Sequence, residues 1–106
     1  MAKSVVPTAW IPGFSSDGTN ITIPIASLTG LTQAQAHAST GNIVAILLAL
    51  NNTIYDKHAA LAAADKLDSM TPARSDFTNS TTGQQTRTFS TPIVCAAPTL
   101  VPITES

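Results

Sequence analysis

The clearest periodic signal in the chain is Ile43, Ile46, Leu47, Leu50 and Ile54, apolar residues recurring at steps of three and four. That spacing predicts one face of an α-helix over about Gly41 to Ala60, with His58 and Leu61 continuing the stripe. Val44 and Leu48 fall on another face. A helix that is apolar on more than one side is buried on more than one side. One face is expected to meet the chain's own sheet, which leaves another for a second subunit. Upstream, Thr32-Gln33-Ala34-Gln35 has the form of a capping box and predicts a short helix running to about Ser39. Thr40-Gly41-Asn42 interrupts it and supplies a second cap.

Elsewhere the period is that of a strand. Ile21, Ile23 and Ile25 alternate with Thr22 and Pro24, and Asp17-Gly18 just before them is a turn signal. Trp10 to Phe14 reads as extended, broken by Pro12 and Gly13. Together these predict a hairpin from about Val5 to Ile25, with Pro24 confining it to an edge or a strand end. Met70 to Thr78 can be extended, and Asn79 to Gly83 reads as a turn or loop. Gln85 to Ala96 then alternates, with Arg87, Phe89, Thr91, Ile93 and Cys95 on one face. Pro92 argues against a fully paired central position, and the prolines of Pro98 to Ile103 predict an extended tail. The resulting class is α+β: a small antiparallel sheet of N-terminal and C-terminal hairpins packed on one long central helix, with extended tails. A chain of 106 residues is expected to be one domain. Its hairpin region covers 1–30, its helical region 31–66, and its β-rich region and tail 67–106. Both ends carry few charges and are expected to be pinned, by the sheet or by neighbouring copies.

Charge changes this picture. The 38 residues from Gly18 to Tyr55 hold no Asp, Glu, Lys or Arg, and the whole chain is 10% charged, against roughly 25% in soluble domains. The desert contains the most apolar run, Ile43 to Leu50. So small a chain has too little interior to hide all of this, so part of its weakly charged surface is expected to lie under other protein. A net charge of −1 gives no electrostatic case for nucleic acid or a membrane surface and favours association. No apolar run approaches the ~20 residues of a membrane span. Seven of the eleven charges lie between Asp56 and Asp76, the segment expected to be most solvated. Met1 to Pro7 does not read as a secretory leader. With Cys95 alone there is no intrachain disulfide, which fits a reducing compartment.

Candidate chemistry is sparse. His37 and His58 stand 21 positions apart, and the lone Cys95 is distant from both, which is not the close ligand spacing of a zinc site. His58 reads as a packed or rim histidine. There is no Gly-x-Ser-x-Gly elbow and no Gly-rich phosphate loop. Cys95, on an alternating strand, reads as a small apolar core residue. Trp10, Phe14, Phe77 and Phe89 would need a basic groove to act as stacking platforms, and the chain has five Lys and Arg in all. Core packing is expected for all four. No enzymatic activity, catalytic residue, cofactor or metal is expected.

The run Asp17-Gly18-Thr19-Asn20-Ile21-Thr22-Ile23-Pro24-Ile25, then Leu31-Thr32-Gln33-Ala34, Thr40-Gly41-Asn42-Ile43 and the Ser/Thr-rich alternating end resemble small virion proteins of tailed phages. The similarity is in particular to short proteins of cyanobacterial phages, over about Trp10 to Leu50 and the Thr-rich tail. It implies a structural role, capsid decoration (cement) or a tail or baseplate component. It implies a place in the virion after synthesis in the host cytoplasm, with the major capsid protein or another virion protein as partner. No functional residues come with it. From the residues themselves, the expected oligomer interface is Ile43, Ile46, Leu47, Leu50 and Ile54. The three-fold positions of a capsid, which the resemblance implies, favour a homotrimer, its three helices meeting through that face and its β-rich arms reaching outward. A small receptor- or glycan-binding module built around Trp10 is the alternative from another class.

Overall fold

The computed structural model describes residues 5–103, which fall into two compact units, one of them Val5–Lys57 and the other beginning at His58. The expectation for the extreme ends lies outside the described residues.

In the first unit the chain opens with one helical turn, α1 (Pro7–Trp10). Pro7 stands at the first helical position, where its fixed φ suits a helix and its missing N–H costs nothing. The turn ends at Ile11 because Pro12 follows and disfavours helical backbone before it. The extended reading of Trp10 and the long hairpin from Val5 are therefore corrected. What pairs is β1 (Ser15–Ser16) with β2 (Ile21–Thr22), in the antiparallel register Ser15↔Thr22 and Ser16↔Ile21. The Asp17 carboxylate accepts the backbone N–H groups of Thr19 (2.9 Å) and Asn20 (2.7 Å), and Gly18 takes φ +89°, so the Asp-Gly turn forms as its residues dictate. The alternation stops pairing after Thr22. Pro24 cannot donate to a ladder, and Ile25–Ser27 makes a 3-10 turn instead.

The capping box is present in full at α2 (Gln33–Ala36). The Gln35 N–H donates to Thr32 Oγ1 (3.2 Å), and the Thr32 N–H donates to Gln35 Oε1 (3.0 Å). Asn42 caps α3 (Ile43–Ala59), its side-chain oxygen accepting the Val44 N–H at 2.9 Å. The main helix thus forms where the periodicity places it. Thr53 sits on its buried side, donating its hydroxyl to the Ala49 carbonyl (2.8 Å) and accepting the Thr29 N–H (3.0 Å). Ile11, Leu28, Ala49 and Thr53 are the buried residues of this unit.

In the second unit, Lys66 Nζ donates to the carbonyls of His58 (2.8 Å) and Ala59 (3.3 Å), a cation on the last carbonyls of α3 where such charge is favoured. The longest ladder is β3 (Ala73–Thr78) with β4 (Gln85–Ser90), antiparallel and in the register Ala73↔Ser90 through Thr78↔Gln85. Asn79 closes it, its side-chain oxygen accepting from Thr81 (2.9 Å) and Thr82 (3.2 Å). The tail is not simply extended. β5 (Cys95–Ala96) pairs with β6 (Val101–Pro102) through a turn in which the Leu100 N–H reaches the Ala96 carbonyl at 2.9 Å. The protein is α+β, with one main helix. Among the described residues its strands make three separate two-stranded antiparallel ladders.

Candidate functional site

The most distinctive surface is on α3. Ile43 is 68% exposed, Val44 67%, Leu47 52% and Leu48 45%. Positions i, i+1, i+4 and i+5 of a helix share one side, so these four form a continuous apolar stripe opposite the buried Ala49 and Thr53. Four large apolar side chains, each about half exposed or more, make a patch on the order of a few hundred Å², the size at which patches mark interaction sites. The five residues expected at an oligomer interface divide. Ile43 and Leu47 lie in the exposed stripe, whereas Ile46, Leu50 and Ile54 are half-buried. Val44 and Leu48, which the sequence puts on a separate face, join Ile43 and Leu47. Stripe angles show which residues lie together but not which side the rest of the chain covers. Next to the stripe, His37, Ser39, Gly41, Asn42, Ile43 and Ile46 line a shallow hollow of about 320 Å³.

A second uncovered surface is the β3–β4 ribbon. Arg74 and Phe89 are half-buried, and every other residue of the two strands is exposed. Phe77 is 66% exposed, which corrects its assignment to the core. The register sets it opposite Thr86, on a face shared with exposed Ser75 and Thr88. Trp10, Phe14 and Phe89 are half-buried. Across the other face Arg87 and Asp76 form a two-bond ion pair, Nε to Oδ1 at 2.7 Å and the second guanidinium nitrogen to Oδ2 at 2.8 Å. That arginine holds the Asp76 carboxyl below its ordinary range.

The remaining polar groups have local work. His37 Nδ1 accepts the Ser39 N–H and lies 3.2 Å from the Ser39 hydroxyl. His58 is buried, and burial first, then the nearby Lys66 charge, lowers its pKa. The Cys95 thiol is half-buried and points at the Ile93 carbonyl (3.5 Å). Among the described residues no three of His, Cys, Asp and Glu come together as metal ligands. No described helix is long and apolar enough to cross a membrane. Two surfaces are left uncovered, an apolar helix stripe and a strand ribbon. Compared with protein-family models, curated proteins and solved structures, the chain gives no match.

Proposed function

We infer that this is a non-catalytic structural subunit of a phage virion, a capsid decoration protein that oligomerises through α3 and stabilises the shell. The single observation that supports the reading most is the exposed stripe Ile43, Val44, Leu47 and Leu48 in a stretch without charge. Full burial of an exposed side chain of this kind is worth about 1.5–3 kcal/mol; these are about half exposed, so each would contribute roughly half of that on close approach of sister helices. A homotrimer suits the three-fold positions of a capsid, since assemblies of identical chains usually close on a symmetry axis. The major capsid protein, or another virion protein, would take the remaining surface. Packing of the terminal hairpins on the helix, within one chain or between copies, belongs to this assembled form. The resemblance to small virion proteins, carried by Asp17 to Ile25 and Thr40 to Ile43, agrees with it.

Leu47→Asp tests the interface. Leu47 is half exposed in the single chain, so the variant should keep its circular dichroism spectrum. A charge buried without a partner at a helix contact is costly, so the variant should lose the trimer in sedimentation. Wild-type association in Leu47→Asp would remove this interface. Microscopy of particles carrying the tagged chain then separates the two virion locations. Density at three-fold shell positions supports decoration, and six-fold or helical rings place the chain in a tail.

A further inference from the structure

The turn between β5 and β6 displays one side chain at the expense of its backbone. Leu100 takes φ +56°, the left-handed region, where a Cβ crowds the following carbonyl oxygen. Among the described residues the other positive-φ positions are Gly13, Gly18, Gly30 and Gly83, and glycine is the default there because it has no Cβ. Leu100 is the exception. Its side chain is 77% exposed, more than that of any other large apolar residue described. The bond that closes the turn, from the Leu100 N–H to the Ala96 carbonyl (2.9 Å), uses backbone alone, so the turn does not require a leucine. Backbone strain of this kind persists where function uses it. A leucine that strains its own backbone and holds its side chain in water has its use in a contact beyond its hairpin.

The character of that contact follows from the surroundings. Thr88 to Thr104 contains no Asp, Glu, Lys or Arg, so the tip suits a recess that is also free of them. This chain has such a recess, the hollow beside α3. Ala38, Ile43 and Ile46 line it together with the polar groups of His37, Ser39 and Asn42, all within the charge-free stretch Gly18 to Tyr55. Its volume of about 320 Å³ is at the small end of pockets that hold a ligand, about 300 Å³ and above. The area needed for assembly points to the same occupant. A stable interface buries about 800 Å² on each partner, whereas the α3 stripe supplies on the order of a few hundred. A tip given and a tip received by every copy adds to that area, and a head-to-tail contact of this kind generates a ring when its rotation closes.

We propose that Leu100 is an anchoring side chain that enters the Ile43–Ile46 hollow of a second copy of this chain. The proposal rests on the reading that copies gather through α3, and adds to it a second contact at a different residue.

Substitutions at Leu100 in the full chain test it. Burying one leucine corresponds to about tenfold or more in an equilibrium constant. Leu100→Gly and Leu100→Asn, both at ease in left-handed backbone, should therefore each weaken the trimer by about that factor in sedimentation. Leu100→Met, still apolar, should associate as the wild type does. In the Leu47→Asp background, where the trimer is lost, Leu100→Gly should leave the melting temperature level or raise it. Cross-linking in a Cys95→Ser background then reads the contact itself. A chain with Thr99→Cys, mixed with a tagged chain with Ala38→Cys, should be joined to it by a short bismaleimide, and Leu100→Gly in the first chain should abolish the joining. A trimer as strong in Leu100→Gly as in the wild type, a fall in melting temperature in the Leu47→Asp background, or linkage only when both cysteines are on one chain would overturn the proposal. A wild-type chain that does not associate would remove the α3 reading as well, whereas an intact trimer indifferent to Leu100 removes this contact alone.

Discussion

Thr53 shows how a polar residue becomes structural. It is 2% exposed and satisfied, donating to Ala49 and accepting from Thr29. Replacing one partner of a buried hydrogen bond costs about 1–3 kcal/mol. Thr53→Val keeps the shape and removes the acceptor of the Thr29 N–H, so urea denaturation should show a loss in that range. A change of a few tenths would mean the bond carries little. His58 makes the second residue-scale prediction. Its folded pKa lies below the ordinary 6.5 because burial disfavours the imidazolium and Lys66 repels it. The unfolded chain thus binds the proton more readily, and stability is complete above about pH 6.5 and falls as the pH drops through the lower folded value. Melting temperatures from pH 8 to 5 should show that decline, and His58→Gln should flatten it. An equal decline in the variant would assign the effect to other groups. At this scale local chemistry was legible in the sequence. The Thr32–Gln35 box and the Asp17-Gly18 turn need only residues within three positions of one another, and both form. Phe77 was not legible, because alternation gives two faces and does not say which one is covered.

At the scale of elements, α3 was readable and the strands were only partly so. The helix repeats one pattern over 17 residues and is capped by Asn42, so many positions agree on one answer. The Ile21 to Ile25 alternation involves five residues, and Pro24 ends it after one pair of rungs. Pro7 and the Pro98 to Ile103 segment were misread for a related reason. Proline is compatible with extended backbone, with the first turn of a helix and with tight turns, and its neighbours' hydrogen bonds decide which of these forms. The connector between α2 and α3 provides a test. A Cβ on Gly41 would lie 2.3 Å from the Gln35 carbonyl oxygen and 2.5 Å from that of His37. Those backbone atoms are held by the Gly41 and Asn42 N–H bonds to the same carbonyls, 2.9 and 2.8 Å. Gly41→Ala should therefore force the connector open and lower stability by about 1–3 kcal/mol, the range for strained or overpacked sites. Hydrogen exchange should show faster exchange at Asn42 and in the first turn of α3. Unchanged protection there would show the connector to be pliable.

For the whole molecule, the question is where the apolar surface goes. Among the described residues only Ile11, Leu28 and Ala49 are buried apolar side chains. Ten large apolar residues among those described are exposed, Ile43, Val44, Leu47, Leu48 and Phe77 included. A two-stranded ribbon such as β3–β4 is marginal when both faces meet water. Each of these features is unfavourable in a lone chain and ordinary in a subunit whose neighbours supply the missing contacts. The charge desert coincides with this surface: the segment without charges holds the part of α3 that keeps an apolar side outward. The sequence could signal this shortage of cover, since it depends on composition and length. Which side of α3 is left open depends on the tertiary placement of Thr29, whose N–H reaches Thr53, and no local pattern reports that.

Sedimentation of the purified wild-type chain at micromolar concentration decides whether the helix stripe is covered by sister copies. A stable oligomer is expected, at three times the chain mass of 10.9 kDa, with the Ile43 to Leu48 amides protected from exchange. A soluble 10.9 kDa species that stays monomeric as concentration rises, its α3 stripe open to water, would contradict it.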